Sequence, residues 1–325
     1  MVNYSPLVLV LVVVTATLGA ALLVLGRWSN RYLRGRRAAR LDPEQRALLE
    51  QLRQIAPRQR RVEWLTFVLG AGTFLCVSWG LFVEPDWLEV TEHHIKSQKL
   101  LPHTSIKVVQ LSDLHSEAKL HIEAEVIAAV ARLRPDIIVF TGDALNEAAG
   151  LANFRQTIAA LAKIAPTYGV YGNWETWWFP DLDLYGSTGA RLLNERASSI
   201  NIRGQTIWLV GVGVDREAQL TRATQLTPRT GFKLLLHHFP ALAPRAAQLG
   251  FDVMLAGDTH GGQARLPWLG ELVRIKRRGY WKSSGMHRES SMWLYVNRGL
   301  GNEGGLPRFR WGCRPELSVI YLEST

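Results

Sequence analysis

The sequence contains only two cysteines, Cys76 and Cys313, among 325 residues. Cys76 lies in an uncharged apolar run, so the sequence excludes both a disulfide-stapled scaffold and a cysteine-based zinc site. Only 20% of the residues are charged and 47% are hydrophobic, which excludes a disordered or low-complexity chain. Residues 1–6 contain no Lys or Arg, although a cleaved signal peptide begins with a basic region.

Charge is also missing from two long stretches, residues 7–26 and 64–83. Each stretch is twenty residues long, which matches the hydrocarbon thickness of a bilayer. We therefore predict two transmembrane helices within a membrane anchor over residues 1–84. A buried core helix is the alternative for each stretch, and a cleaved signal peptide is a second alternative for the first one.

Arginine is concentrated between these two stretches. Residues 27–63 contain eleven Arg and four acidic residues, so they account for +7 of the net charge of +10. The positive-inside rule places this loop in the cytoplasm. We therefore predict a multi-pass protein of the cell inner membrane, with residues 85–325 on the extracytoplasmic side. Contact with a lipid bilayer is favoured over a nucleic-acid patch, and we expect no nucleic-acid partner.

Residues 85–325 alternate between apolar strand-like runs and helical patterns. Helices are predicted over His121–Arg134 and Leu151–Ile164, where apolar residues recur on one helical face. Strands are predicted over Ile106–Leu111, Ile137–Thr141, Thr206–Val214, Phe232–His237, Val253–Ala256, Met292–Val296 and Leu317–Leu322. This alternation predicts an α/β domain in which helices pack on sheets.

Polar side chains that can bind metal follow the predicted strands. They are Asp113 and His115, then Asp143, Asn173, the pair His237 and His238, and finally Asp258 and His260. Any one of these motifs occurs by chance, and Gly-Asp alone usually marks a turn. Their ordered succession at strand ends, where α/β sheets build sites, predicts a metal centre.

The motifs SDLH, TGD, GNWE, HHFP and GDTHGGQ resemble those of the calcineurin-like metallophosphoesterase family, in its membrane-associated bacterial branch. The resemblance extends over about Leu88 to Leu322 and includes YVNRGLG and RPELSVIYL. It implies a four-layer α/β/β/α sandwich and a metal-dependent hydrolase of phosphoric esters or anhydrides. It also implies two divalent metal ions, which we expect to be Mn, with Fe, Zn or Mg as alternatives.

The resemblance also implies a role for each motif residue. The implied ligands are Asp113, His115 and His260 for the first ion, Asp143 as the bridge, Asn173 and His238 for the second ion, and Asp258 as a further ligand. His238 is preferred over His237 because it has the family's His-x-Pro spacing and because neighbouring strand residues face opposite ways. Asp143, Asn173 and Trp174 are the expected catalytic residues, beside a metal-activated hydroxide.

Two residues depart from the family pattern. Trp174 replaces the family's catalytic His, and an indole N–H cannot deliver a proton at neutral pH. We therefore expect a preference for phosphoanhydrides, whose leaving group is a weak base, over alkyl esters. Asp258 replaces another His and favours a harder ion such as Mn or Mg. A second metal site that is degenerate is the alternative.

Aromatic and basic residues surround these motifs. Trp174, Trp177, Arg277 and Arg278 are the predicted substrate-binding residues, since Arg pairs with phosphate. A wall facing the bilayer is predicted from Trp178, Phe179, Trp268, Trp281, Trp293, Arg265, Arg274, Lys276, Lys282 and Arg288. Ordinary core packing with a solvated basic face is the alternative.

Together these features predict a membrane-anchored phosphohydrolase that cleaves a phosphodiester or pyrophosphate bond in a phospholipid or lipid-linked phosphate. If the domain were cytoplasmic, the resemblance would favour a UDP-2,3-diacylglucosamine pyrophosphatase-like enzyme of lipid A synthesis. A catalytically silent membrane scaffold or sensor is a third hypothesis, favoured by Trp174 and Asp258. The two predicted anchors argue against a soluble nucleotide or protein phosphatase.

Overall fold

The computed structural model describes residues 18–28, 42–44, 47, 57–266, 268, 270–271, 280, 282–303 and 307–325. The chain divides into two compact units, Met1–Gly80 and Leu81–Thr325. The first unit contains helix α1 (Leu18–Trp28) and most of helix α2 (Pro57–Phe82). The ring of Trp28 in α1 lies 4.8 Å from that of Trp64 and 5.4 Å from that of Phe67, both in α2.

One helical segment in the described part of the chain, Arg61–Asp86, is long and apolar enough to cross a membrane. It comprises most of α2 and the 3₁₀ turn that follows it. Only 11% of its apolar window is buried. Helix α1 is shorter, and residues 7–17 of the first predicted span lie outside the described residues. The structure therefore supports one candidate span by length and composition, and the prediction of two spans is not confirmed.

The second unit contains two six-stranded sheets. Their strands are β1 (Glu89–Ser97), β2 (Ser105–Leu111), β3 (Ile137–Phe140), β4 (Thr167–Gly169), β5 (Arg191–Leu192), β6 (Arg196–Ile202), β7 (Gln205–Gly211), β8 (Phe232–Leu236), β9 (Val253–Ala256), β12 (Gly285–Glu289), β13 (Met292–Val296) and β14 (Glu316–Ser324); β10 (Arg265–Leu266) and β11 (Gly270–Glu271) form a separate hairpin. The first sheet has the order β1-β14-β2-β3-β4-β5 and the second β12-β13-β9-β8-β7-β6.

Helices cover the outer face of each sheet. The first sheet packs against α3 (Glu123–Leu133) and α4 (Leu151–Ala162), and the second against α6 (Leu220–Gln225) and α7 (Ala243–Gln248). A short helix, α5 (Asn173–Trp178), follows β4. The mixed sheets and the order of the four layers confirm the predicted α/β class.

Alternation along the strands determines these layers. In β2, Ile106 and Val108 pack between the two sheets, whereas Val109 and Leu111 pack under the helices of the first sheet. A strand that is buried on both faces reads as a nearly continuous apolar run, which is why β2, β3, β8 and β9 are recognisable in the sequence. The residue after each such strand inherits its direction from the same alternation.

The sequence reading misses the edge strands and the short inner strand β4. Strand β1 (EVTEHHIKS) and strand β12 (GMHRE) carry charged and exposed residues, since each lies at one edge of its sheet. Strand β7 is also shorter than predicted. It ends at Gly211, which pairs with Leu236 at the end of β8, although the amide of Val212 still donates to the carbonyl of Leu236.

Phe154 tests the packing between the first sheet and its helices. Its fully buried ring lies 5.4 Å from Phe140 and 5.8 Å from Tyr185. We expect Phe154→Ala to lower the free energy of unfolding of the full chain by about 3–5 kcal/mol, because it leaves a cavity. Denaturant titration in detergent measures this change. Leu226→Ala, at an exposed site, is the control and is expected to stay within about 0.5 kcal/mol. A loss below about 1 kcal/mol for Phe154→Ala would contradict this packing.

Candidate metal centre

The predicted ligands lie on unusual backbone where the strands end. Asp113, His115 and Asp143, after β2 and β3, have φ values of 50°, 47° and 58°. Asp258 and His260, after β9, have φ values of 72° and 48°. Residues other than glycine seldom adopt this left-handed conformation, and where they do, it often marks a functional site. Here it turns five buried polar side chains toward one another at the ends of the sheets.

Two overlapping groups of donors result. Asp113, His115 and His260 form one group, and Asp113, Asp143 and His238 form the other; within each, the donor atoms lie within 4.8 Å of one another. The Nε2 atoms of His115 and His260 are 3.2 Å apart, and that of His260 lies 3.4 Å from Asp113 Oδ1. His238 Nε2 lies 3.2 Å from Asp143 Oδ2.

Two carboxylates lie between the two groups. Asp143 Oδ2 is 3.6 Å from His115 Nε2 as well as 3.2 Å from His238 Nε2, which is the position expected of a bridge. Asp113 Oδ1 is also 3.9 Å from His238 Nε2. The sequence predicts Asp143 alone as the bridge, whereas the structure places Asp113 between the groups as well.

The neighbouring histidines face opposite ways. His238 Nδ1 donates to the carbonyl of Thr141 at 2.8 Å, so that Nε2 faces the carboxylates as a ligand nitrogen would. His237 Nδ1 donates to the carbonyl of Val212 at 2.7 Å, outside the donor groups. This is the arrangement that strand alternation predicts.

Helix α5 brings Asn173 and Trp174 to the same place. Asn173 is buried, and its Oδ1 has no hydrogen-bond partner among the described residues, which suits a metal ligand. The backbone N–H of Trp174 donates to Asp143 Oδ1 at 3.0 Å. The Trp174 ring contacts His115 edge-on, with ring centroids 5.2 Å apart. The exposed ring of Trp178 lies 6.5 Å from that of Trp174.

Glu175 is a site residue that our sequence reading missed. Its buried carboxylate accepts the amide hydrogens of Gly172 at 2.6 Å, Asp143 at 3.0 Å and Ala144. It therefore joins the loop that carries Asp143 to the start of α5. The available signal was its position three residues after the helix cap. Gly172 must be glycine here, because a Cβ would lie 2.1 Å from Asp143 Oδ1.

Arg310 was also missed, and no sequence pattern distinguishes it from the many other arginines. It is fully buried, and its guanidinium donates to the carbonyls of Arg298, Gly299, Gly301 and Cys313. It thereby fixes the loop after β13. The amide of Gly301 in that loop donates to the carbonyl of Asp113 at 2.7 Å.

Asp258 lies beside the second donor group. Its backbone N–H donates to Asp113 Oδ1 at 3.1 Å, and its own Oδ1 is 3.8 Å from His238 Nε2. The shorter side chain thus remains close to the centre although Asp replaces His. Its role as a ligand stays a prediction.

The predicted aromatic and basic wall is only partly present. Trp177 is half exposed, and its indole donates to Asp215 Oδ2 at 2.6 Å. Phe179, just after α5, and Trp293, in β13, are corrections to the prediction, since both are partly buried and pack against the hydrophobic cores. The guanidinium of Arg288 covers the Trp293 ring at 4.3 Å. The remaining predicted positions Arg274, Lys276, Arg277, Arg278 and Trp281 lie outside the described residues.

The buried carboxylates of the centre favour a positive charge beside them, as the pKa shifts of the site show. Burial raises the pKa of Asp113 to about 7, despite the opposing effect of His238. Burial would also raise the pKa of Asp143, but His238 outweighs it and holds that pKa at about 2. Burial would lower the pKa of His238, but Asp143 and Asp113 outweigh it and raise the pKa to about 10. Without a cation, a proton on His238 therefore balances the buried carboxylates.

The donor set fits divalent cations. Carboxylate, imidazole and amide oxygen donors suit Mn, Fe, Zn or Mg, and the described site contains no thiolate that would favour a softer ion. Burial lowers the pKa of His115 to about 4 and that of His260 well below its usual value, so both imidazoles are neutral and ready to bind. The centre thus presents neutral nitrogens and anionic oxygens to a cation.

Metal binding should release a proton. At pH 8 we expect about one proton per chain, because His238, with a pKa near 10, must lose its proton to bind a cation. Affinity should therefore fall about tenfold per pH unit from pH 10 to about 7, fall more steeply below 7 because Asp113 also takes up a proton, and level off above 10. Calorimetry in buffers of different ionisation enthalpy measures the release. His237→Gln, the matched control outside the donor groups, should retain the release; binding at pH 8 without release would contradict the assignment.

Comparison with known proteins agrees with this geometry. Residues 106–262 match the model for calcineurin-like phosphoesterases. The chain is 33% identical over 262 residues to the uncharacterized metallophosphoesterase YkuE of Bacillus subtilis (strain 168). This match covers 75% of this chain and 88% of that protein. It is 28% identical over 251 residues to the phosphodiesterase YaeI of Escherichia coli (strain K12), with 74% and 90% covered.

A third relative is the UDP-2,3-diacylglucosamine pyrophosphatase LpxG of Chlamydia trachomatis, 25% identical over 322 residues, with 79% of this chain and 95% of that protein covered. The family match lies over the strands and loops that carry Asp113, Asp143, Asn173, His238 and His260. The chain therefore belongs to the calcineurin-like phosphoesterase family and is a metal-dependent phosphoester hydrolase.

Proposed function

We propose that this chain is a membrane-anchored hydrolase that uses two divalent cations to cleave a phosphodiester or pyrophosphate bond in a lipid-linked substrate. The observation that carries the proposal is the pair of overlapping buried donor groups with Asp113 and Asp143 between them. Buried carboxylates that face one another are unfavourable unless cations neutralise them. Two such groups side by side suit a substrate that carries negative charge, and family membership favours an enzyme over a silent scaffold.

The donor groups define which residues would hold the cations. Those of the first ion are Asp113, His115 and His260, those of the second are Asn173, His238 and Asp258, and Asp143 lies between the two. Bound cations would supply positive charge that polarises the phosphoryl group and lowers the pKa of water. Manganese is the proposed metal, because Asp258 adds a hard anionic oxygen where an imidazole would favour a softer ion.

Trp174 favours a substrate with a good leaving group. Its ring lies edge-on to His115, a member of the first donor group. An indole can donate a hydrogen bond to a departing oxygen but cannot transfer its proton at neutral pH. A phosphate leaving group needs no such transfer, whereas an alkoxide does. This supports pyrophosphate-type bonds over alkyl diesters.

Two exposed tryptophans support a lipid-linked substrate. Trp178 is 67% exposed, and Trp268, on the β10–β11 hairpin, is fully exposed. The hairpin borders a cleft of about 490 Å³ lined by Arg265, Leu266, Trp268, Gly270, Trp311 and Gly312. An apolar cleft with one guanidinium suits a molecule that combines an acyl chain with a phosphate. We propose Trp177, Arg277 and Arg278 as further substrate contacts.

The anchor would keep the enzyme at its substrate. We propose that residues 1–84 hold it in the cell inner membrane, with the candidate span Arg61–Asp86 leading directly into β1. The Arg-rich segment 27–63 supports a cytoplasmic loop, and hence an extracytoplasmic catalytic domain. A phosphatase reporter fused after Thr325, active only outside the cytoplasm, tests this orientation.

A specific second candidate is a UDP-2,3-diacylglucosamine pyrophosphatase. It is favoured by Trp174, since this substrate contains a pyrophosphate bond, and by the similarity to LpxG over 79% of the chain. That nucleotide lipid is cytoplasmic, so the candidate requires the inverted orientation. An inactive fusion reporter at Thr325 would therefore favour it.

Hydrolysis by the purified full chain tests the proposed function. We expect turnover with Mn²⁺, its loss after chelation, and its loss in Asp143→Ala, because Asp143 contacts both donor groups. The substrates are an aryl phosphodiester, an alkyl phosphodiester and a UDP-linked lipid. Wild-type chain that binds less than one metal ion and cleaves none of them would contradict the proposal.

Trp174→His tests the leaving-group argument. An imidazole at this position can protonate an alkoxide, so we expect kcat for the alkyl phosphodiester to rise by about 10²-fold, and kcat for the pyrophosphate substrate to rise far less. Trp178→His, which adds the same group one turn along α5, is the control. No gain on the alkyl diester would show that Trp174 does not determine substrate preference.

A further inference from the structure

We propose that Gln110, Thr141 and Ser112 form a directed hydrogen-bond relay that positions the carboxylate of Asp113 between the two donor groups. The three residues are positioning residues, since they act through Asp113 and do not touch substrate. The inference rests on the proposed function, because it assigns Asp113 to the cations.

Strand alternation brings the three side chains together. Gln110 and Ser112 continue the face of β2 that carries Ile106 and Val108, which packs between the sheets. Thr141 continues the corresponding face of β3, after Ile137 and Val139. All three polar side chains are completely buried, at the end of the core where the metal centre begins.

The hydrogen bonds run in one direction. Gln110 Nε2 lies 2.9 Å from the carbonyl of Ala256, which can only accept, so this atom is the amide nitrogen of Gln110. The same nitrogen donates to Thr141 Oγ1 at 3.0 Å. Thr141 Oγ1 in turn donates to Ser112 Oγ, 2.7 Å away, which is much nearer than its other acceptor, the carbonyl of Leu111 at 3.5 Å. Ser112 is then left with its hydroxyl hydrogen. Its Oγ lies near Asp113 Oδ2, because both oxygens would contact a Cβ on Gly257, and the relay directs the hydrogen to that carboxylate.

The relay fixes which oxygen of Asp113 faces the donor groups. A Cβ on Gly257, just after β9, would lie 2.3 Å from Asp113 Oδ2 and 2.0 Å from Ser112 Oγ. The backbone of the second sheet's loop therefore closes over this side of the carboxylate. Oδ1 is the oxygen that lies 3.4 Å from His260 Nε2 and 3.9 Å from His238 Nε2. Ser112 and the second sheet thus hold one side of the carboxylate while Oδ1 stays within reach of both donor groups.

The relay also joins the two sheets. Gln110 and Thr141 belong to the first sheet, whereas Ala256 ends strand β9 of the second. The carbonyl of Thr141 accepts a hydrogen bond from His238. Thr141 therefore belongs to the relay through its side chain and contacts the second donor group through its backbone. The distance between the sheets is thereby tied to the spacing of the ligands.

The relay carries an energetic cost that packing does not explain. Gln110 Oε1 is buried and has no hydrogen-bond partner among the described residues. Burying an unsatisfied acceptor is unfavourable, and an apolar residue such as Ile106 or Val108 on the same face avoids it. A glutamine here is consistent with a role in orientation rather than in core packing.

Metal affinity of the full chain tests the relay. Thr141→Val removes the hydroxyl but keeps the carbonyl that binds His238, and we expect Mn²⁺ to bind about 10- to 100-fold more weakly. Ser112→Ala should weaken Mn²⁺ binding to a similar extent. Thr141→Ser keeps the hydroxyl that Thr141→Val removes, so it should bind Mn²⁺ with wild-type affinity. Thr157→Val is the matched control, because Thr157 is equally buried and donates to Asn153 at 2.9 Å far from the relay.

Titration with Mn²⁺ against a competing chelator gives these affinities without any turnover. Wild-type affinity in Thr141→Val, an equal loss in Thr157→Val, or no rescue by Thr141→Ser would each overturn the relay. If the wild-type chain bound no divalent cation, the proposed function and the relay would both fail. Normal wild-type affinity with an unaffected Thr141→Val would leave the function standing and reject the relay alone.

Discussion

The constraint on which this structure depends is the crowding of buried negative charge around His238. Asp113, Asp143 and Asp258 all lie within 4 Å of its Nε2 atom and are almost inaccessible to solvent. Such charges cannot be held together by apolar packing, since each loses its hydration. A counter-charge at this point is therefore a condition of the fold as well as of catalysis.

Much of the surrounding structure serves to keep this arrangement in place. Glu175 accepts three amide hydrogens and so fixes the loop of Asp143. Arg310 donates to four carbonyls and so fixes the loop that lies beside Asp113. Neither contact touches a ligand atom. The ligands need this support because left-handed backbone at Asp113, Asp143 and Asp258 is costly and persists only where neighbouring groups over-determine it.

The sequence was sufficient to predict the strands whose residues follow a simple periodicity, and the donor residues that come after them. Strands β2, β3, β8 and β9 are apolar on both faces, and the residues that follow them include the donor side chains. Alternation even distinguishes His238 from His237. Strand β1 escaped prediction because its exposed side chains are polar, and its stability comes from backbone pairing with β14.

Glu175 and Arg310 escaped prediction for a different reason. Apart from the amide of Gly172, which lies three residues before Glu175, their partners are backbone amides and carbonyls that come together only in the folded chain. Pattern reasoning finds side chains that meet side chains of matching type. It does not find a side chain whose role is to hold a loop.

Strand β14 has a consequence for how this domain assembles. It lies between β1 and β2 in the first sheet, pairing Glu316 with Glu89 and Val319 with Val109. Until β14 has been synthesised, β1 has no neighbour and the sheet that carries Asp113 and Asp143 is open at one side. Folding of the centre during synthesis must therefore wait for the C-terminal region.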